Sequence, residues 1–148
     1  NITMSLFTIR RILLNKRDTI YFNVFMHTKV SITKQVSLED LNLFAKLTGD
    51  SNVVHFTKTK HSEPIVHGAL LNGFVSGVIG TLCPGHGSLV ISQSFSFPNK
   101  CYIDIPIEVN VQIVENRKIM KIKYWCEQNN NVVFEGDAKV IMIKKVDS

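Results

Sequence analysis

Val66-His67-Gly68-Ala69-Leu70-Leu71-Asn72-Gly73-Phe74-Val75-Ser76-Gly77-Val78-Ile79-Gly80-Thr81-Leu82-Cys83 carries most of the longest apolar stretch of the chain, Ala69 to Pro84. The pattern predicts a helix from about Val66 to Cys83 that is apolar nearly all round, so it should be surrounded by protein. It is too short to cross a bilayer, which takes about 20 mostly apolar residues, and Asn72, Ser76 and its glycines interrupt it. Gly68, Gly73, Gly77 and Gly80 are unfavourable in a helix, by about 0.8–1.0 kcal/mol each relative to Ala. A sheet wrapped tightly around the helix would explain them, because it would bring another backbone close.

The flanks of this helix are consistent with that arrangement. Beyond a Pro84–Gly87 turn the sequence alternates in the manner of strands at Leu89–Phe97, Ile107–Val114, Ile119–Cys126 and Val132–Ile143. Turns are expected at Asn116-Arg117 and at Gln128–Asn131. On the N-terminal side, residues 30–36 read as a first strand. Ser37 followed by Asp40 resembles a capping box, opening a helix with Leu38, Leu41, Phe44, Ala45 and Thr48 on one face. Gly49 is a natural helix stop. Asp50 to Pro64 is then a polar loop with room for one short helical turn. Consecutive strands with short turns favour antiparallel pairing, and a sheet against one buried helix is an α+β architecture.

The 148 residues fit one domain. The net charge of +5 invites a nucleic-acid reading, but the excess lies within residues 1–36, and the rest sums to zero. Nucleic-acid binding and membrane insertion are therefore not expected. From Met4, Leu6, Ile9, Leu13 and Leu14 recur near helical spacing among Arg10, Arg11 and Arg17. Basic, acid-poor and amphipathic is the composition of a mitochondrial transit peptide. Residues 1–29 are read as a targeting arm and residues 30–148 as the folded domain. Cys83, Cys101 and Cys126 are odd in number and form no CxxC, so neither a disulfide framework nor a zinc site is implied.

The chemistry-bearing residues follow the first helix. Asp50 lies five residues before His55, and a carboxylate beside an imidazole can share proton transfer near neutral pH. Asn52 can brace the loop through side-chain-to-backbone bonds. Gly-Asp-Ser-Asn is also an ordinary turn composition, so spacing alone leaves a plain turn open. No His, Asp and Glu set has a trustworthy metal-ligand spacing. At the start of the apolar helix, His67 and Gly68 sit where backbone N–H groups lack intrahelical partners. Without a Cβ, Gly68 lets a ligand oxygen reach its N–H, as an oxyanion site requires.

Together these residues resemble the MaoC-like, (R)-specific enoyl-thioester hydratase family, whose pattern runs Phe-Ala-x-Leu-Thr-Gly-Asp-x-Asn-Pro-x-His and then Ile-x-His-Gly. The matching positions are Phe44, Ala45, Leu47, Thr48, Gly49, Asp50, Asn52, His55, Ile65, His67 and Gly68. Pro84-Gly85-x-Gly87, Phe97-Pro98 and Tyr102-Ile103 are similar too, so the likeness spans roughly residues 36–143. Within the family it is nearest to the mitochondrial hydroxyacyl-thioester dehydratases. The resemblance implies a hotdog fold, with a curved antiparallel sheet around a long central helix, and a homodimer. It implies interconversion of (3R)-3-hydroxyacyl and trans-2-enoyl thioesters on acyl carrier protein or CoA, in mitochondrial fatty-acid synthesis. Asp50 and His55 would be catalytic, Gly68, Asn52 and His67 substrate-binding, and no metal or other cofactor would be needed.

Two positions depart from the pattern. Val53 stands where the family usually has Pro, removing a fixed φ and threatening the Asp50–His55 geometry. Asp104-Ile105 replaces the usual Gly-Asp or Gly-Glu, which should alter a turn. The competing readings are a hotdog thioesterase, which commonly carries a carboxylate on the central helix where Gly68 to Thr81 has none, and a non-catalytic acyl-thioester-binding module.

Overall fold

The computed structural model describes residues 29–58 and 63–143, and the backbone of residues 3–4. The amphipathic stretch of the arm, with His27, and the loop residue His61 lie outside the described residues.

The chain runs β1 (Thr3–Met4), β2 (Lys29–Lys34), α1 (Leu38–Thr48), a single 3-10 turn (Val53–His55), α2 (Gly68–Thr81), β3 (Ser88–Ser96), β4 (Ile107–Glu115), β5 (Met120–Gln128) and β6 (Asn131–Met142). The strands form one antiparallel sheet in the order β1-β2-β4-β5-β6-β3. Helix α2 lies against β3, β4, β5 and β6, which is the hotdog arrangement.

Alternation along the strands builds the core. Ile107, Val109, Val111 and Ile113 of β4 are buried, as are Met120, Ile122, Tyr124 and Cys126 of β5 and Phe134, Ala138 and Val140 of β6. They form one core with Leu71, Val75, Val78 and Ile79 of α2. Fully burying a Val, Leu, Ile or Phe side chain stabilises by roughly 1.5–3 kcal/mol, so this face fixes the register of the sheet. The β5–β6 hairpin turns through Asn129 and Asn130 at φ 51° and 62°, the left-handed pair that a two-residue hairpin needs. At Gly136 a Cβ would collide with the Ser94 carbonyl and lie 2.6 Å from the Tyr124 hydroxyl.

Ser37 caps α1 as expected. Its hydroxyl accepts the Asp40 N–H, and Asp40 Oδ2 accepts the Ser37 N–H at 2.8 Å. Gly49 ends the helix at φ 82°, so Asp50 leaves in a new direction.

Two expectations about α2 need correction. It begins at Gly68 rather than near Val66, because Val66 N–H bonds the Cys101 carbonyl at 2.8 Å and Ile65 bridges Tyr102. Nor is it enclosed on every side: Ala69, Gly73, Ser76, Gly77 and Thr81 are exposed. A Cβ on Gly73, Gly77 or Gly80 would meet nothing within 4 Å. Those glycines therefore do not make room for the sheet; Gly73 and Gly77 belong to a smooth outer face of small residues.

Candidate active site

The loop after α1 holds its own shape. Asp50 Oδ1 accepts the Asn52 N–H at 3.2 Å, and Asn52 Oδ1 accepts the Val54 N–H at 3.4 Å, capping the 3-10 turn. One carboxylate oxygen of Asp50 is thus engaged by the loop and Oδ2 is left for chemistry. Val53 begins the turn, and its carbonyl accepts from Phe56 and Thr57. A first-turn position needs no N–H, so a proline would fit there, and valine gives the same turn without it.

His55 is oriented from the other side. Its Nδ1 lies 2.7 Å from the Ile65 carbonyl. A carbonyl only accepts, so Nδ1 carries the proton and Nε2 is the nitrogen free to exchange one. Nε2 lies 3.9 Å from Asp50 Oδ2. That is too long for a direct hydrogen bond, and it suits a single oxygen bonding to both. His55 is 12% exposed and Asp50 50%, so the pair faces outward from a mostly buried base.

Ile65 is itself pinned. Its N–H bonds the Val54 carbonyl at 3.2 Å, and its neighbours pair with Cys101 and Ile103. This short ladder fixes the start of α2 beside the loop. Gly68 is the first residue of α2, where an N–H has no intrahelical acceptor and the helix end is partially positive. His55 and Gly68 line one cavity of about 340 Å³, walled by Leu71, Phe97, Cys101 and Val133 with Pro98, Asn99 and Lys100 along the segment after β3. The lining is mainly apolar, as an acyl chain would need.

Of the residues expected here, His55 and Gly68 line the cavity, and Asp50 lies beside His55 without forming part of the cavity wall. Asn52 is exposed and braces the loop rather than forming a cavity wall. His67 is a correction to its expected contact with substrate. It is 1% exposed, absent from the cavity wall, and bonded through Nε2 to the Asp50 carbonyl at 3.1 Å. Its ring stacks under that of His55, centroids 3.7 Å apart and planes 21° from parallel. Asp50, His55 and His67 offer ligand atoms within 4.8 Å of one another. Imidazole lone pairs lie in the ring plane, however, and stacked rings do not aim them at one point, and His67 Nε2 is already bonded to the Asp50 carbonyl, so the arrangement does not suit chelation. Nothing in the sequence marks Phe97 to Cys101 as cavity residues beyond the family likeness at Phe97-Pro98, and only the folded chain brings that segment to Gly68.

A MaoC-like domain model matches residues 23–135. The chain belongs to the MaoC-like family. This MaoC-like chain is 32% identical over 125 residues to a 3-hydroxybutyryl-CoA dehydratase of Methylorubrum extorquens, covering 79% of this chain and 80% of that protein. It is 30% identical over 122 residues to a mitochondrial 3-hydroxyacyl-[acyl-carrier-protein] dehydratase of Arabidopsis thaliana, covering 74% and 72%. Among solved structures, the (R)-hydratase of A. caviae involved in PHA biosynthesis superposes with a TM-score of 0.77 at 25% identity, covering 82% of this chain and 99% of that one. That match is to the same hotdog fold.

Proposed function

We propose that Asp50 and His55 carry out the reversible loss of water from (3R)-3-hydroxyacyl thioesters, with the thioester carbonyl held by Gly68 N–H. The protein is an enzyme of the hydratase–dehydratase type acting on 3-hydroxyacyl thioesters. In dehydration a proton leaves C2, the C2–C3 double bond forms, and the C3 hydroxyl departs with a proton as water. The C2 proton is acidic only while the carbonyl oxygen can take up negative charge, and an N–H at a helix N-terminus stabilises that charge. The observation that carries this reading is the pairing of His55 Nε2 with Asp50 Oδ2 at 3.9 Å, on a histidine that lines the same cavity as Gly68. Asp50→Asn and His55→Ala are each expected to abolish hydration of crotonyl-CoA while the fold persists by circular dichroism. Near-wild-type turnover in either variant would sink the assignment.

The proposal extends to an acyl-carrier-protein substrate in mitochondrial fatty-acid synthesis. Its support is the transit-peptide composition of residues 1–29 and the mitochondrial name of the plant relative. It extends also to a homodimer. Strand β3 is an edge of the sheet that exposes Leu89, Ile91 and Phe95, and unpaired apolar edges call for cover. Sedimentation at micromolar concentration should give twice the chain mass. Thioester hydrolysis is the weaker reading, because α2 presents no carboxylate.

A further inference from the structure

We infer that His67 is a positioning residue that ties Asp50, His55 and Gly68 into one rigid unit through its Nε2–H bond to the Asp50 carbonyl. The inference rests on Asp50 and His55 being the reacting pair. His67 is 1% exposed and immediately precedes the Gly68 N–H at the start of α2. Its Nε2 donates to Asp50 across a separation of seventeen residues. Its other nitrogen, Nδ1, is buried without a partner, so the ring is held in place by a single hydrogen bond and by its packing between Phe44 at 4.9 Å and His55 at 3.7 Å.

The Asp50 carbonyl belongs to the same residue as the reacting carboxylate. The local bonds of the loop, from Asn52 to Asp50 and from Val54 to Asn52, fix the loop's internal shape. The bonds of Val54 and His55 to Ile65 hold the far end of the loop beside the start of α2, but neither reaches Asp50. The His67 bond does, and it joins the residue beside the oxyanion donor to the residue bearing the carboxylate. A displacement of about 1 Å in such a pair costs on the order of 10²-fold in rate.

Two substitutions separate this hydrogen bond from simple packing. His67→Phe keeps a ring between Phe44 and His55 and removes the donor. His67→Gln loses the ring and places an amide N–H near the position of Nε2. If His67 only fills space, phenylalanine is the better replacement. If it positions Asp50, glutamine is.

The test is hydration of crotonyl-CoA by the full chain, with kcat normalised to the binding stoichiometry of butyryl-CoA from calorimetry. The expected result is a kcat about 100-fold below wild type for His67→Phe and within about 10-fold for His67→Gln, with KM changed less than twofold in both. A phenylalanine variant as active as the glutamine variant, or more so, overturns the inference. Should the phenylalanine variant fail to fold, His67→Asn takes its place, since its amide falls one methylene short of the Asp50 carbonyl, and the same ordering decides. Asp50→Asn run alongside keeps the two levels apart: if it is active, the choice of reacting pair fails, whereas an inactive Asp50→Asn with a fully active His67→Phe refutes only the role of His67.

Discussion

Gly68→Ala tests the oxyanion site with a single methyl group. A Cβ at Gly68 would lie 2.7 Å from Phe97 Cζ and closer still to Cε1, so the ring must retreat by about 1 Å to reach ordinary carbon–carbon contact. It can do so, because Phe97 is 51% exposed and the clash involves the far end of its ring. The retreat weakens its packing on Phe95 and Phe134, at 5.6 and 5.2 Å, where aromatic pairs are worth about 0.5–1.5 kcal/mol. Replacing a helical glycine by alanine returns up to about 1 kcal/mol. Stability should therefore stay within about 1 kcal/mol of wild type, a Tm shift of roughly 4 °C or less. Activity should not be spared, since the methyl group and the displaced ring occupy the approach to the Gly68 N–H. Losing one oxyanion donor costs about 10²–10³-fold. The assay is loss of enoyl absorbance with crotonyl-CoA, read against thermal denaturation of the same sample. A kcat/KM within twofold of wild type, at unchanged Tm, would refute the placement of the thioester oxygen at Gly68.

Further outcomes concern the frame around the site. The backbone N–H and hydroxyl of Ser37 hold Asp40 below the ordinary carboxylate range. A lowered folded value means the cap stabilises fully above the unfolded value near 3.8 and stops doing so as pH falls through the folded one. The Tm gap between wild type and Asp40→Asn should accordingly be open at pH 6 and narrow as the pH is lowered below 3.8. Asp104 sits at φ 59°, a conformation that branched side chains resist, so Asp104→Val should lower stability by about 1–2 kcal/mol while Asp104→Gly stays near wild type, as urea denaturation will report. Burial pushes the Cys101 and Cys126 thiols up to about 12; neither should react with Ellman's reagent at pH 8 until the protein is unfolded.

Much of this was legible because it is local. Ser37 and Asp40 announce a capping box, Gly49 a left-handed stop, and alternation from Ile107 onward a two-faced strand, and each needs only near neighbours to take effect. The Asp50–His55 pair was legible as a candidate for the same reason: a loop of five residues closes on itself. Asp104 departs from the family's glycine, and its positive φ shows why glycine suits the position. What depends on distant chain was not legible. His67 has the chemistry of a substrate ligand, and only packing against Phe44 and His55 turns it inward. The glycines of α2 have a spacing that groups Gly73 and Gly77 with Ala69 and Ser76 on one face, but spacing does not say whether that face meets the sheet. The cavity wall from Phe97 to Cys101 arises from the return of β3 past the start of α2.

The β2–β4 pairing has a consequence for how function is lost. Lys34 is paired with Ile107, and Asp50, His55, His67, Gly68 and the Phe97–Cys101 wall all lie in the chain between them. The stretch from Gln35 to Gly87, which carries Asp50, His55 and Gly68, is thus held by β2 at one end and by β3 on β6 at the other, and six residues of β2 are its clasp. Closing a loop of that length is entropically unfavourable whenever the clasp opens, and a segment near a sheet edge opens more readily than the centre. Under mild denaturant, fraying of β2 would release α1 and the Asp50 loop while the β4–β5–β6 meander stays intact, so the enzyme would fall silent with most of its sheet still folded.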